Sequence, residues 1–376
     1  MSPRYQHGFT LVELVVVMML AGILSGMVSS FISAPMTSYV TLSQRASLMD
    51  KAENALSLVT RDVQQALPNS LRVRHIQFCD ANGDNMDGAA ETKAINSNTA
   101  LTCTPSSIKK DYVVLEMIHV DEGVRYRSRN CDTTLAAGCN TTVANRNQLM
   151  LDLTAPDNQF GIIGAFQYID PSRTDYRLVT GHNPSITSTT ASNAYSNGGV
   201  ITPLGTTVNI SVPAAAPNIN QNLASASFPG GTAYPSGTVT ENQITLSTPV
   251  QFFNPTATHS PFQRLFVTEA NPARIYLCDP QTGEIFRYRN YTMNLSMDGH
   301  DTRGELDNLL SGGAVRALVS NDMLNCRMVY NTTAGGGATA RVGVVKISLV
   351  MTQRNLPSAE QDQIRLFKQI NVFNVD

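Results

Sequence analysis

The chain has 376 residues, a formal net charge of −2 and only 15% charged side chains, and its pI lies near 6.3. Such a length supplies one large or two ordinary domains with ample material for a core. The balanced charge, without a basic stripe, argues against a nucleic-acid partner.

Residues 1–8, MSPRYQHG, form a short polar leader with Arg4 and His7, whose positive charge should hold it on the cytoplasmic side. Then comes Gly8-Phe9-Thr10-Leu11-Val12-Glu13-Leu14 and an apolar run to about Ile32 in which Glu13 is the one charge. About 20 apolar residues suffice to cross a bilayer, and a carboxylate in such a segment costs about 2.5–3.5 kcal/mol unless it finds a partner. Cleavage after Gly8 would give Phe9 a free amine, which could meet Glu13 of a neighbouring subunit. The string GFTLVEL resembles the type III signal of type IV pilins and pseudopilins. The resemblance implies that Gly8 precedes the cut made by the prepilin peptidase, that Phe9 becomes the N-methylated terminus, and that Glu13 guides assembly. The competing reading is an uncleaved membrane anchor. A conventional secretory signal fits less well, because such signals have a short apolar core and this run continues into an amphipathic helix. Gly22 and Gly26, four apart, could let a neighbouring helix approach closely.

From Tyr39 to Leu67, Tyr39, Leu42, Met49, Ala52, Leu56, Val59 and Val63 recur mostly at steps of three and four, opposite Arg45, Lys51, Arg61 and Asp62. That is the pattern of an amphipathic helix. Pro35 is expected to interrupt and bend the helix just past the membrane, and Pro68 to stop it. Strand patterns follow at 71–79, 111–120 and 123–128, with Asp121-Glu122-Gly123 as a hairpin turn between the last two. More strands are expected at 148–153, 160–169 and 175–181.

Residues 181–260 are rich in Ser, Thr, Asn, Ala, Gly and Pro, with strand-like islands at 206–212 and 242–247. They read as a low-complexity insertion or an irregular subdomain, with disorder as the competing reading. Strands return at 263–269, 273–279, 284–291, 324–330, 341–352 and 364–375, with Asp279–Gly283 as a hairpin turn. A short helix or a strand is expected within 306–325. A long helix followed by antiparallel strands makes an α+β fold. Its parts are a leader (1–8), a transmembrane and filament-core helix (9–34), an amphipathic helix half (35–67), a β-rich globular part (68–180), the insertion (181–260) and a C-terminal antiparallel part (261–376).

The strings GVRYR, YLCD, RYRNY, NCRMVY, VVKISL and INVFNV, in that order along the chain, resemble the large minor pilins of the MSHA (mannose-sensitive haemagglutinin) pilus, the MshO type. They resemble more distantly the J-type minor pseudopilin of type II secretion. Either resemblance implies a low-abundance subunit that initiates or caps a filament. Its partners would be the prepilin peptidase, other major and minor pilins and the inner-membrane assembly machinery. It would cross the inner membrane once, with a periplasmic C-terminal domain, and then enter the filament at the cell surface. A filament-tip adhesin that binds glycans through the insertion is a further alternative.

Six cysteines, none in the apolar run and none forming C-x-x-C, suit disulfides in an oxidising compartment. Sequence alone leaves their connectivity open. Pairing of chain neighbours gives Cys79–Cys103, Cys131–Cys139 and Cys278–Cys326. Zinc is the rival, but its ligands usually come in tight pairs.

In CDANGDNMDGAAE (79–91), Asp80, Asn82 and Asp84 fall at the first, third and fifth positions of an EF-hand-like loop and Glu91 at the twelfth. That spacing could hold Ca²⁺. Asn85 replaces the usual glycine, which a left-handed backbone tolerates. A solvated polar turn is the competing reading, as it is for Asp298, Asp301, Glu305 and Asp307. No hydrolase, metalloprotease or phosphate-loop motif is present, so no enzyme activity is expected. The aromatics of EIFRYRNY (284–291) could stack on a sugar or a base, although sheet packing explains them as well.

Overall fold

The computed structural model describes residues 10–67, 70–88, 91–97, 99–128, 157–163, 176–179, 195, 201, 208–211, 242–250, 264–294, 296–332, 342–353 and 362–373. Helix α1, Leu11–Gln64, is a single element of 54 residues, about 80 Å long at 1.5 Å per residue. Thr10 caps it, its hydroxyl accepting the Glu13 N–H at 3.3 Å. The helix runs through Pro35. The expected interruption does not occur, since a proline removes one backbone donor and the turns on either side keep theirs. The helix ends before Pro68, where the chain turns into a sheet. Leu67 donates its N–H to the Ile118 carbonyl at 2.7 Å, and Val120 donates to the Gln65 carbonyl at 2.9 Å.

The strands are β1 (Arg72–Asp80), β2 (Lys93–Ile95), β3 (Ile108–Ile118), β4 (Glu122–Ser128), β5 (Asp157–Ile163), β6 (Arg177–Val179), β7 (Val208–Ser211), β8 (Asn242–Val250), β9 (Arg264–Thr268), β10 (Ala273–Asp279), β11 (Glu284–Arg289), β12 (Val315–Ser320), β13 (Met323–Thr332), β14 (Val342–Thr352) and β15 (Gln363–Phe373). A short helix α2 (Arg303–Asn308) and a 3-10 turn (Leu309–Gly312) precede β12. Among the described residues the strands make three sheets, ordered β12-β11-β10-β3-β1-β2, β13-β14-β15 and β6-β9-β4-β5-β8-β7. Every pairing is antiparallel. A long helix with antiparallel sheets is the α+β arrangement expected.

The first sheet is buried on both faces, which is why β3 and β10 read as nearly continuous apolar runs rather than alternating ones. One face, with Val113, Leu115, Met117 and Tyr276, packs on Leu48, Ala52, Leu56, Val59 and Val63 of α1 and on Val345, Ile347 and Ile370 of the second sheet. The other face, with Ile76, Phe78, Tyr112, Val114, Ile275 and Leu277, is covered by Tyr291, Met297 and Leu306. The segment between β11 and β12 is therefore a lid on the sheet.

Asp121-Glu122-Gly123 is not a hairpin turn. β3 belongs to the first sheet, whereas β4 pairs with β5 and β9 in the third. The backbone of the connection is committed to other elements, with the His119 N–H on the Pro272 carbonyl and the Asp121 N–H on the Val267 carbonyl, each at 2.9 Å. The chain thus crosses between sheets instead of reversing. The Asp279–Gly283 turn does form, with Gly283 at φ 74° and its N–H on the Asp279 carbonyl at 2.8 Å. The strand-like islands of the insertion are β7 and β8, and β8 pairs with β5. Cys79 is bonded to Cys103 and Cys278 to Cys326; the second bond joins β10 to β13 across two sheets. Cys131 and Cys139 lie outside the described residues, as does the expected strand 148–153.

Two polar contacts hold α1 on the first sheet. Asp62 is wholly buried, accepts the Tyr276 hydroxyl at 2.6 Å and lies 2.7 Å from the Arg287 guanidinium. Nearby, His119 Nε2 is 3.0 Å from Gln65 Oε1. Burial and the positive charge of Arg274 push its imidazole down to about 4, with Arg287 and Arg61 acting the same way and Asp62 opposing; Asp121 lies 3.7 Å away.

Asp62→Ala would strand a buried guanidinium and a buried hydroxyl. Its expected cost is about 3 kcal/mol, read by urea denaturation of the detergent-solubilised chain. His119 binds fewer protons folded than unfolded below its ordinary pKa of about 6.5. Its contribution is therefore complete above about pH 6.5 and is lost as the pH falls through about 4. The denaturation midpoint of His119→Gln should fall less between pH 7 and pH 4 than that of the parent chain.

Candidate functional site

Two regions stand out, and they lie in different parts of the chain. The first is the N-terminal part of α1. Among the described side chains of the helix, none from Leu11 onward is buried until Leu48, and Phe31 remains 83% exposed. This stretch is long and apolar enough to cross a membrane, and none of its apolar window is covered by the rest of the chain. Glu13 is exposed in the first turn. Gly8 and Phe9 lie outside the described residues.

The second region is where the loop after β1 meets the lid. Asp80 is buried and accepts the N–H groups of Gly83 at 2.6 Å and Asn85 at 3.2 Å. Asp84 accepts from Met86 at 2.9 Å and from the Asn82 side-chain amide, also at 2.9 Å, and Glu91 Oε1 accepts from Ala81 at 3.0 Å. The four residues of the EF-hand-like spacing thus give oxygens to their own loop or to each other, which is how a tight polar turn satisfies itself. Asn85 is left-handed, at φ 60°, the conformation that the sixth position of such a loop requires.

The loop rests on the start of α2. Gly304 donates its N–H to the Asn85 carbonyl at 3.0 Å. A Cβ on Gly304 would lie 2.4 Å from the Asp84 carbonyl oxygen and 2.5 Å from Met86 Cγ, so only glycine admits this approach. Thr302 and Glu305 form a capping box, a reciprocal pairing that satisfies the first donors of the helix.

This contact gathers Asp87, Asp301 and Glu305, each offering a carboxylate oxygen within 4.8 Å of the others. Asp87 and Asp301 are buried. Lys93 Nζ lies 2.8 Å from Asp87, and Arg74 bridges Asp298 and Asp301. Burial, a hydrogen bond with Asp87 and the charge of Asp301 push the Glu305 carboxyl up to about 8. Burial raises that of Asp301 against the pull of Arg74. The acidic segment 298–307 is therefore no free solvated loop. Asp87 belongs to the site although it matches no position of the calcium spacing. Its partners lie on a distant stretch of chain, and no local pattern signals that meeting.

The aromatics of 284–291 do not form an open stacking face, because Phe286, Tyr288 and Tyr291 are buried in the sheet–lid core.

A family profile described as a prokaryotic N-terminal methylation motif matches residues 3–29. Comparison with curated proteins and with solved structures finds no match. The motif supports a type IV pilin-like protein, pilin or pseudopilin, and implies processing by prepilin peptidase and association with other pilins. With the apolar helix, it fits a membrane-anchored chain.

Gly304→Ala should lower the unfolding free energy by about 1–3 kcal/mol, the usual cost of an overpacked contact. Denaturant titration measures it, and faster proteolysis within residues 81–88 is the expected local sign.

Proposed function

We propose that this chain is a minor subunit of a type IV pilus of the MSHA kind, inserted in the membrane as a precursor, cut after Gly8 and methylated on Phe9. One observation carries the reading: the methylation motif heads a helix whose apolar first half has a single carboxylate, Glu13, and no cover from its own chain. Such a surface is tolerable in lipid, or among like helices in a filament core. Glu13 then serves assembly, because it meets the Phe9 amine of an adjoining subunit and the two charges compensate. In this reading the first contacts of the precursor are with the prepilin peptidase and the inner-membrane assembly machinery. The sheets face the periplasm, Cys131 and Cys139 form a third disulfide, and the sheets later touch other minor pilins at the cell surface. The family strings distributed from β4 to β15 support the MSHA assignment. The J-type pseudopilin of type II secretion shares the same parts, but the long stretch 181–260 favours the pilus.

Mass spectrometry of protein from its native host should find a chain that begins at methylated Phe9; an intact Met1 would overturn the reading. Glu13→Ala should leave membrane insertion unchanged and cut incorporation into filaments by about tenfold or more, in line with the cost of leaving the Phe9 amine of the adjoining subunit unpaired in an apolar bundle. Immunoblots of sheared filaments against membranes measure the ratio. Co-purification with major and minor pilins, rather than with a secreted cargo, separates the pilus from the secretion assignment.

A further inference from the structure

The junction between the β1 loop and the lid has a property that the assembly role does not use. Three carboxylates from two distant stretches of chain converge, and one oxygen of each is already committed. Asp87 Oδ2 faces Lys93 at 2.8 Å, Asp301 Oδ2 faces Arg74, and Glu305 Oε2 accepts the backbone N–H groups of Asp301 at 3.3 Å and Thr302 at 3.2 Å. Glu305 also shares a hydrogen bond with Asp87, and Asp301 has a second oxygen. This oxygen, Oδ1, belongs to a fully buried residue and accepts no hydrogen bond. A buried carboxylate oxygen left without a donor is costly, and the carboxyl that carries it groups with two further acids while Arg74 holds its other oxygen.

We propose that Asp87, Asp301 and Glu305 bind a calcium ion that pins the 81–88 loop to the lid. The oxygens lie within 4.8 Å of one another, and ligands of one Ca²⁺ at 2.3–2.6 Å are at most about 5 Å apart. The ligand chemistry is hard oxygen throughout, with no thiolate or imidazole in the group, which suits calcium and not zinc. Charge agrees as well. Asp87, Asp298 and Asp301 face Arg74 and Lys93, and Glu305, once it gives up its proton to the ion, leaves two net negative charges that a dication balances. The ion would not use the EF-hand-like set, because Asp80, Asn82 and Asp84 give their oxygens to their own turn, and it would join residues that the loop alone cannot bring together.

The test is a thermal melt of the full chain in detergent, in EDTA and then in about 5 mM Ca²⁺, a level that suits extracellular calcium modules. Calcium should raise the melting temperature by about 3–6 °C. Asp87→Asn and Asp301→Asn should each abolish the rise. Both variants should still unfold cooperatively in EDTA, so that loss of the rise is read on a folded chain. Asp84→Asn, in the turn, should keep the rise. Equilibrium dialysis with radioactive calcium should show about one ion per chain, lost in Asp87→Asn. Absence of a calcium-dependent shift in the parent chain overturns the proposal. So does a shift that survives Asp87→Asn, or one abolished by Asp84→Asn alone, which would move the ion to the turn.

Discussion

The middle strands of the first sheet have no face that can meet water. β3 and β10 are buried on both sides, so each side needs its own cover. The C-terminal half of α1 and the second sheet cover one side, and the lid between β11 and β12 covers the other. A buried acid also lies at each of these two contacts with the sheet. Asp62 projects from the helix to Tyr276 and Arg287. Glu116 projects from β3 to Arg72 at 2.6 Å and to the Tyr291 hydroxyl of the lid at 2.8 Å. Burial drives the Glu116 carboxyl up, but Arg72, His300 and Tyr291 outweigh it and keep it low. Buried pairs of this kind add little net stability, yet they penalise any packing that separates them. They therefore set how helix and lid sit on the sheet more than how firmly.

Much of this architecture is readable from residue pattern, because burial leaves local traces. The three-and-four spacing of Ala52, Leu56, Val59 and Val63 marks the covered half of α1, whereas Tyr39, Leu42 and Met49 of the same pattern stay exposed. The unbroken apolar run before it marks the uncovered half. The proline, glycine and aspartate of 279–283 mark a turn that the structure contains. Where expectation and structure part, the cause is tertiary. Pro35 does not break the helix, because one missing donor is a small loss in a rod of this length. Asp121–Gly123 resembles a hairpin in sequence, but Gln65, Val267 and Pro272 claim the neighbouring backbone groups, and the chain changes sheets there. The acids at 80–91 look like a self-contained ligand set, and the turn uses most of them itself. Asp87 gains its partners only when β1 and the lid are stacked, and no window of sequence contains both.

The third sheet is joined to the rest at a narrow seam. Thr268 donates its hydroxyl to the His119 carbonyl at 2.8 Å, Tyr195 donates to the Ser70 carbonyl at 2.7 Å, and Arg72 stacks on the Tyr195 ring at 3.6 Å. Leu67, Ile118, Val179 and Ile201 close the seam with a small apolar cluster. Arg72 also pairs with Glu116, so one guanidinium contacts both the ring at the seam and the acid under the lid.

The Cys278–Cys326 bond has a mechanical meaning. A pull along the exposed end of α1 loads the helix against the sheets beneath it, in shear. The crosslink ties β10 to β13, so the two sheets cannot slide apart in turn and must resist as one body. It also closes a covalent ring around the lid, whose two ends stay tethered however far the helix is drawn. Rupture would have to begin at the helix–sheet contact, leaving the bonded β-layers intact.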